Sequence, residues 1–77
     1  MIDNTITLDK NTIHEIGKEL WFARQERHLF IYQVSKRSHV PIDLIDTMEL
    51  GKAIEANALL KLLHLYGKKM RIMIEDE

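Results

Sequence analysis

The 77-residue chain contains no cysteine, one proline and three glycines. Without cysteine there is neither a disulfide framework nor a zinc–thiolate centre, and a reducing, cytoplasmic setting is the expectation. So few glycines leave no glycine-rich loop to cradle a phosphate. No apolar run approaches membrane-spanning length. The first residues carry no basic stretch followed by an apolar one, so neither a membrane span nor a secretory signal is expected. Charge of one sign is also missing. Eleven Lys and Arg face twelve Asp and Glu, for a net charge of −1. That balance argues against bulk electrostatic binding of nucleic acid and leaves room only for a local basic patch. The four histidines, His14, His28, His39 and His64, show no ligand spacing, so no metal site is expected. No carboxylate pair or Ser/His/Asp set stands out. Neither an enzyme nor a cofactor is expected.

What is present is the balance of a folded domain, with 45% hydrophobic and 30% charged residues. The length suffices for one domain, and a chain this small buries only about 60% of its unfolded surface. "TIHE" sets Thr12 three residues before Glu15, a capping-box spacing, and Ile13, Ile16, Leu20 and Ala23 follow on one face. This predicts a first helix over about 12–27. A second is expected over about 30–37, with Val34 facing inward. "SHVP" is the break, because Pro41 disfavours helical geometry at Val40. "PIDLIDTMEL" predicts a third helix over 41–50. Pro41 suits its first position, and Gly51 suits a left-handed exit. In "NALLKLLHLY" the leucines at 59, 60, 62 and 63 are dense enough to predict a well-buried fourth helix ending at Gly67.

The flanks read differently. "IDNTITLD" alternates weakly, as a short strand or an arm would. "KKMRIMIE" alternates well, with Met70, Ile72 and Ile74 on one face. A lone strand is an open edge that needs a partner. The first residues can supply one, and the same strand of a second copy another, so a homodimer sharing a sheet through Met70, Ile72 and Ile74 is expected. The expected organisation is an N-terminal arm or strand (1–10), a helical domain (11–67), and a C-terminal strand with an acidic tail (68–77).

Two short helices around a short turn make a helix-turn-helix candidate. Where they cross, a small residue is required, and Ser35 is small. Ten residues on, Ile45 can plug the angle between them, with Val34, Val40 and Met48 completing the inner face. Arg24 and Glu49 lie 25 residues apart, and Glu49 precedes "LGK". In "IGKELWFAR" (16–24), "MELGK" (48–52) and "ALLKLLHLYG" (58–67) the chain resembles the lambda-repressor/Cro-like, or xenobiotic-response-element, helix-turn-helix family. The resemblance covers about residues 12–67. It implies a mainly α, four-helix domain in which Arg24 and Glu49 form a structural ion pair. With its added strand the layout resembles the HipB-type antitoxins.

The implied activity is that of a repressor or an autoregulating antitoxin, bound as a homodimer to a double-stranded DNA operator. A toxin or another protein would be a further partner. The implied DNA-binding residues are Lys36, Arg37, Ser38, Asp43, Asp46, Thr47 and Lys52, with the helix over 41–50 in the major groove. The family positions that reach base edges fall on Ile42, Asp43, Leu44, Asp46 and Thr47, where the family usually carries Gln, Ser, Thr, Arg or Lys. Carboxylates can accept from cytosine N4, and aliphatic groups can touch a thymine methyl. The chain also departs from the pattern at Phe30 and Ile31, where the family has a polar cap and a glutamine. A third departure is His39, where the family has glycine. The alternative from another class is a helix-turn-helix domain that docks protein through Phe30, Ile31, Tyr32, Ile42 and Leu44. Trp21 and Phe22, adjacent on the first helix, cannot both face one core. Packing beneath the arm or sheet is expected, with an exposed partner anchor as the alternative.

Overall fold

A computed structural model describes residues 8–69, which form four helices: α1 (Lys10–Glu26), α2 (Ile31–Ser38), α3 (Ile42–Glu49) and α4 (Ala56–Leu65). The domain is mainly α. The expected C-terminal strand, with Met70, Ile72 and Ile74, lies outside the described residues, as does most of the N-terminal arm.

The start of α1 differs from the capping box expected at Thr12 and Glu15. Asp9 is the cap. Its carboxylate accepts from the Thr12 backbone N–H at 2.8 Å and from the Thr12 hydroxyl at 3.1 Å. An ionised acceptor at a helix N-terminus also meets the positive end of the helix dipole, which a threonine cap cannot exploit. These bonds, the Thr12 backbone N–H foremost, hold the Asp9 carboxyl below its ordinary pKa.

Three helices leave through the same device, a residue in left-handed geometry followed by a backbone bond reaching back five positions. After α1 the residue is His28 (φ 53°), and Leu29 N–H donates to Arg24 O. After α3 it is Gly51 (φ 72°), with Lys52 N–H on Thr47 O. After α4 it is Gly67 (φ 66°), with Lys68 N–H on Leu63 O. Helix α2 ends on His39, also left-handed (φ 62°), whose N–H donates to Ser35 O. Gly51 and Gly67 supply this geometry freely, whereas the two histidines occupy it at a steric cost.

Helix α2 begins one residue later than expected, with Phe30 as its cap. Phenylalanine has no side-chain acceptor, so the first turn is closed from the other direction: Gln33 Oε1 accepts from Phe30 N–H at 2.8 Å. Pro41 likewise stands just before α3 rather than inside it. Its φ of −58° and ψ of 142° direct the chain into the helix. Glu55 caps α4, accepting from the N–H groups of Asn57 and Ala58 at 3.0 and 2.9 Å.

The core draws on every helix and on the two connections that flank α3: Leu20 and Ala23 from α1, Val34 from α2, Val40 from the turn, Ile45 and Met48 from α3, Ile54 from the connector, Ala58, Leu59 and Leu62 from α4, and Tyr66 beyond it. Ile45, Met48, Val34, Ile54 and Leu62 are completely buried. Of the four leucines expected inside, Leu60 is instead 64% exposed, because ten residues of α4 present only one face to the other helices. Helix α1 lies very close to the end of α3. A Cβ built on Gly17 would collide with the carbonyl oxygen of Met48 and sit 3.1 Å from both Glu49 O and Gly51 N. Arg27 ties the far end of α1 to α4. It donates to Ala23 O at 2.8 Å and to Tyr66 O at 2.6 Å, and its guanidinium lies 5.2 Å from the centre of the Tyr66 ring. Two helix C-termini thereby receive one cation, which complements the negative end of each dipole.

Candidate nucleic-acid interface

The site begins with what fixes the direction of α3. Arg24 Nε donates to Glu49 Oε2 and Nη2 to Oε1, both at 2.9 Å, and Nη1 donates to Leu29 O at 3.1 Å. The two side chains are only 13% and 6% exposed. The planar fork matches both carboxylate oxygens, so the pair is directional as well as attractive. The hydrogen bonds to Glu49 hold the Arg24 pKa above its ordinary value, and Asp46 adds a weaker Coulombic contribution. The C-terminus of α3 is therefore tied to α1 on two counts: this pair, and the backbone approach at Gly17.

The turn from α2 to α3 is tied internally. Ser38 Oγ donates to Val34 O at 2.7 Å and accepts from Val40 N–H at 3.2 Å. Ser35 Oγ donates to Val40 O at 2.6 Å. Ser38 is buried. It therefore leaves the set of expected DNA-binding residues, because its hydroxyl is engaged on both sides in closing the turn. Buried Val40 and Ile45 fill the angle between α2 and α3, and half-buried Ser35 leaves room for the crossing.

Asp43 and Asp46 are exposed on α3, and Ile42 is 44% exposed at its first turn. Among the described residues neither carboxylate has an ion-pair partner. Thr47 is half-buried, and its hydroxyl donates to Asp43 O at 2.8 Å. Leu44 is half-buried against the core and contributes little to the outer face. Lys36 and Arg37 are exposed in the last turn of α2, and Lys52 is exposed beyond α3. Among the described residues none of these three makes an ion pair. The arrangement combines a helix with an acidic, partly apolar outer face and cations at the end of α2 and beyond α3.

Two exposed aromatic pairs lie elsewhere. Phe30 and Tyr32 stack with centroids 5.8 Å apart and planes within 8°. Trp21 and Phe22 meet edge to face at 5.1 Å beside a shallow depression lined also by His14, Lys18 and Glu49. Trp21 and Phe22 are 43% and 44% exposed, and the arm and strand expected to cover them lie outside the described residues. Among the described residues no three His, Asp or Glu side chains gather as a metal site would require, and no helix is long and apolar enough to cross a membrane.

Sequence reasoning missed Arg27 and Tyr66. Nothing in the spacing of residues 39 positions apart announces that an arginine will reach a helix-end carbonyl. Gly17 did leave a signal, because a lone glycine inside a helical pattern commonly marks a close approach. No family model, curated protein or solved structure matches this chain.

Proposed function

We propose that the chain is a sequence-specific DNA-binding transcriptional regulator, a repressor or an autoregulating antitoxin. In this reading it acts as a homodimer that places Ile42–Glu49 in the major groove. The observation that carries the reading is the fixing of α3. A three-residue turn separates it from α2, its inner face is buried, and the Arg24–Glu49 pair anchors its far end while Ile42, Asp43 and Asp46 stay exposed. A two-helix unit whose second helix presents side chains outward matches the docking requirement of a helix-turn-helix, with half-sites about 34 Å apart in a dimer. Lys36, Arg37 and Lys52 would contact phosphates, which supply affinity and orientation, and α3 would supply discrimination.

A mobility-shift assay tests this on duplex DNA from upstream of the coding sequence, at two salt concentrations. Retardation that weakens with salt, with a log–log slope near −0.9 per phosphate contact, supports the reading. No retardation at low salt removes it.

A second reading is favoured by one observation: Phe30 at the cap of α2, Tyr32 on α2 and Ile42 on α3 are all large and well exposed. A helix-turn-helix domain used as a protein-docking module would present such a surface. Lack of DNA binding, combined with retained folding, selects it.

A further inference from the structure

The outward face of α3 carries no side-chain hydrogen-bond donor. The Asp43 and Asp46 carboxylates can only accept, and Ile42 offers neither function. The one hydroxyl, on Thr47, has its proton committed to Asp43 O at 2.8 Å and offers the groove only lone pairs. We infer, on the reading that α3 enters the major groove, that this helix selects cytosine on the strand it contacts and rejects guanine at the same positions.

The argument is one of complementary functions. In the major groove guanine shows two acceptors, N7 and O6, and thymine shows an acceptor and a methyl group. Only cytosine N4 and adenine N6 donate. A carboxylate opposite guanine or thymine meets a lone pair with no proton between, and desolvating it there costs free energy with no compensating bond. Adenine sets its donor beside N7, so a carboxylate pairs with one atom and is repelled by the next. Cytosine presents its amino group with no adjacent acceptor of its own, and its C5–H edge tolerates an apolar neighbour. Ile42, at the first turn of the same helix, adds preference for a methyl-bearing pyrimidine, thymine, at the adjoining step. The exposed cations play no part in this choice. Lys36 and Arg37 belong to the last turn of α2, and Lys52 follows α3, so none is a residue of the reading helix itself.

The test is selection of duplexes from a randomised library by the full-length protein, followed by measurement of Asp43→Asn and Asp46→Asn on the selected site. Asparagine keeps the shape and adds a donor, so it pairs with adenine N6 and N7 together. Selected sites should carry cytosine at the positions nearest α3. Each Asn variant should lose affinity at one such cytosine by roughly fivefold or more and gain it when that cytosine becomes adenine, a change that corresponds to the worth of one base contact. Matched thermal melting of the variants shows that folding is not the cause. Recovery of duplexes with guanine at those positions, or unchanged base preference in both variants, overturns this inference while leaving DNA binding itself intact. Failure of the wild-type protein to enrich any duplex overturns the DNA-binding reading, and this inference with it.

Discussion

Arg24 and Glu49 face each other across 25 positions of chain through two parallel hydrogen bonds of 2.9 Å, and the third arginine nitrogen reaches the carbonyl of Leu29. One side chain thus joins α1, the connection to α2 and the end of α3. Arg24→Ala leaves a shielded carboxylate without its counter-ion and a carbonyl without its donor. Breaking such a pair from one side costs about 3 kcal/mol, more than the intact pair contributes against a hydrophobic replacement. Urea unfolding of Arg24→Ala should show a loss of that size, with Arg24→Lys losing less because an ammonium retains the charge and loses the fork. Wild-type stability in the alanine variant would mean that the pair does not organise the fold.

Gly17 makes a second, independent test of the α1–α3 contact. On helix propensity alone Gly17→Ala should stabilise the protein by about 1 kcal/mol. A Cβ at this position collides with the Met48 carbonyl oxygen, and the obstruction is backbone that cannot rotate away. The variant should therefore lose stability, by roughly 2 kcal/mol or more, as overpacking does elsewhere. A gain on thermal melting would show that the helices can separate freely.

These two contacts differ in how far sequence revealed them. The Arg24–Glu49 pair was implied by the resemblance carried by "IGKELWFAR" and "MELGK", and Ile45 by its place ten residues after the small Ser35. The order of the four helices was legible from periodicity and from Pro41, Gly51 and Gly67. Two acceptors stand three residues apart at the start of α1, and spacing alone favours Thr12 where the structure uses Asp9. The resemblance implies Ser38 as a DNA-binding residue, whereas the structure buries it. Its burial depends on the path of the turn, which periodicity does not encode. A dense leucine run does not say which face is covered, so the sequence places Leu60 inside where the structure exposes it.

Tyr66 is buried, and among the described residues its hydroxyl has no hydrogen-bond partner. Burial pushes its pKa up to about 12, with Glu49 adding to the rise and Arg24 and Arg27 opposing it. In the unfolded chain a tyrosine ionises near pH 10. Between these values the folded state holds the proton that the unfolded state has lost, so stability falls as pH rises through roughly 10 to 12. The loss amounts to about 2 kcal/mol across that window. Tyr66→Phe removes an unsatisfied hydroxyl while keeping the ring under Arg27. It should be as stable as wild type or more so at pH 7, by up to about 1 kcal/mol. Unfolding measured at pH 8 and pH 11 should show a smaller alkaline loss in the variant. Equal losses would place an unseen partner on the hydroxyl.

His28 and His39 hold left-handed backbone geometry that glycine adopts without a Cβ clash. Replacing either by glycine relieves roughly 1–2 kcal/mol of steric cost and adds back some unfolded-state entropy. Each single variant should be more stable by up to about 1 kcal/mol. Because the two positions end different helices, the gains should add in the double variant. Denaturation midpoints of the four proteins check both statements, and a loss in either single variant would assign that imidazole a contact of its own.

Lys36 and Arg37 are the cations best placed to test DNA binding apart from folding. Both are exposed at the C-terminal end of α2, where positive charge also favours the helix dipole. Reversing both to glutamate should cost the fold no more than about 1 kcal/mol, so thermal melting should shift only slightly. Binding is more sensitive. Each lost phosphate contact removes about 0.9 from the log–log salt slope, and each new carboxylate repels the backbone it replaced a contact to. On the proposed DNA-binding reading, the double variant should therefore stop retarding DNA at salt concentrations where the wild type is retarded, and Lys36→Ala with Arg37→Ala should fall between the two. A protein that docks another protein through Phe30, Tyr32 and Ile42 predicts a different pattern. The charge reversals would then change nothing measured with DNA, and Ile42→Ser would abolish partner capture. Unchanged DNA affinity in the double glutamate variant would therefore reject the end of α2 as the phosphate-contacting surface.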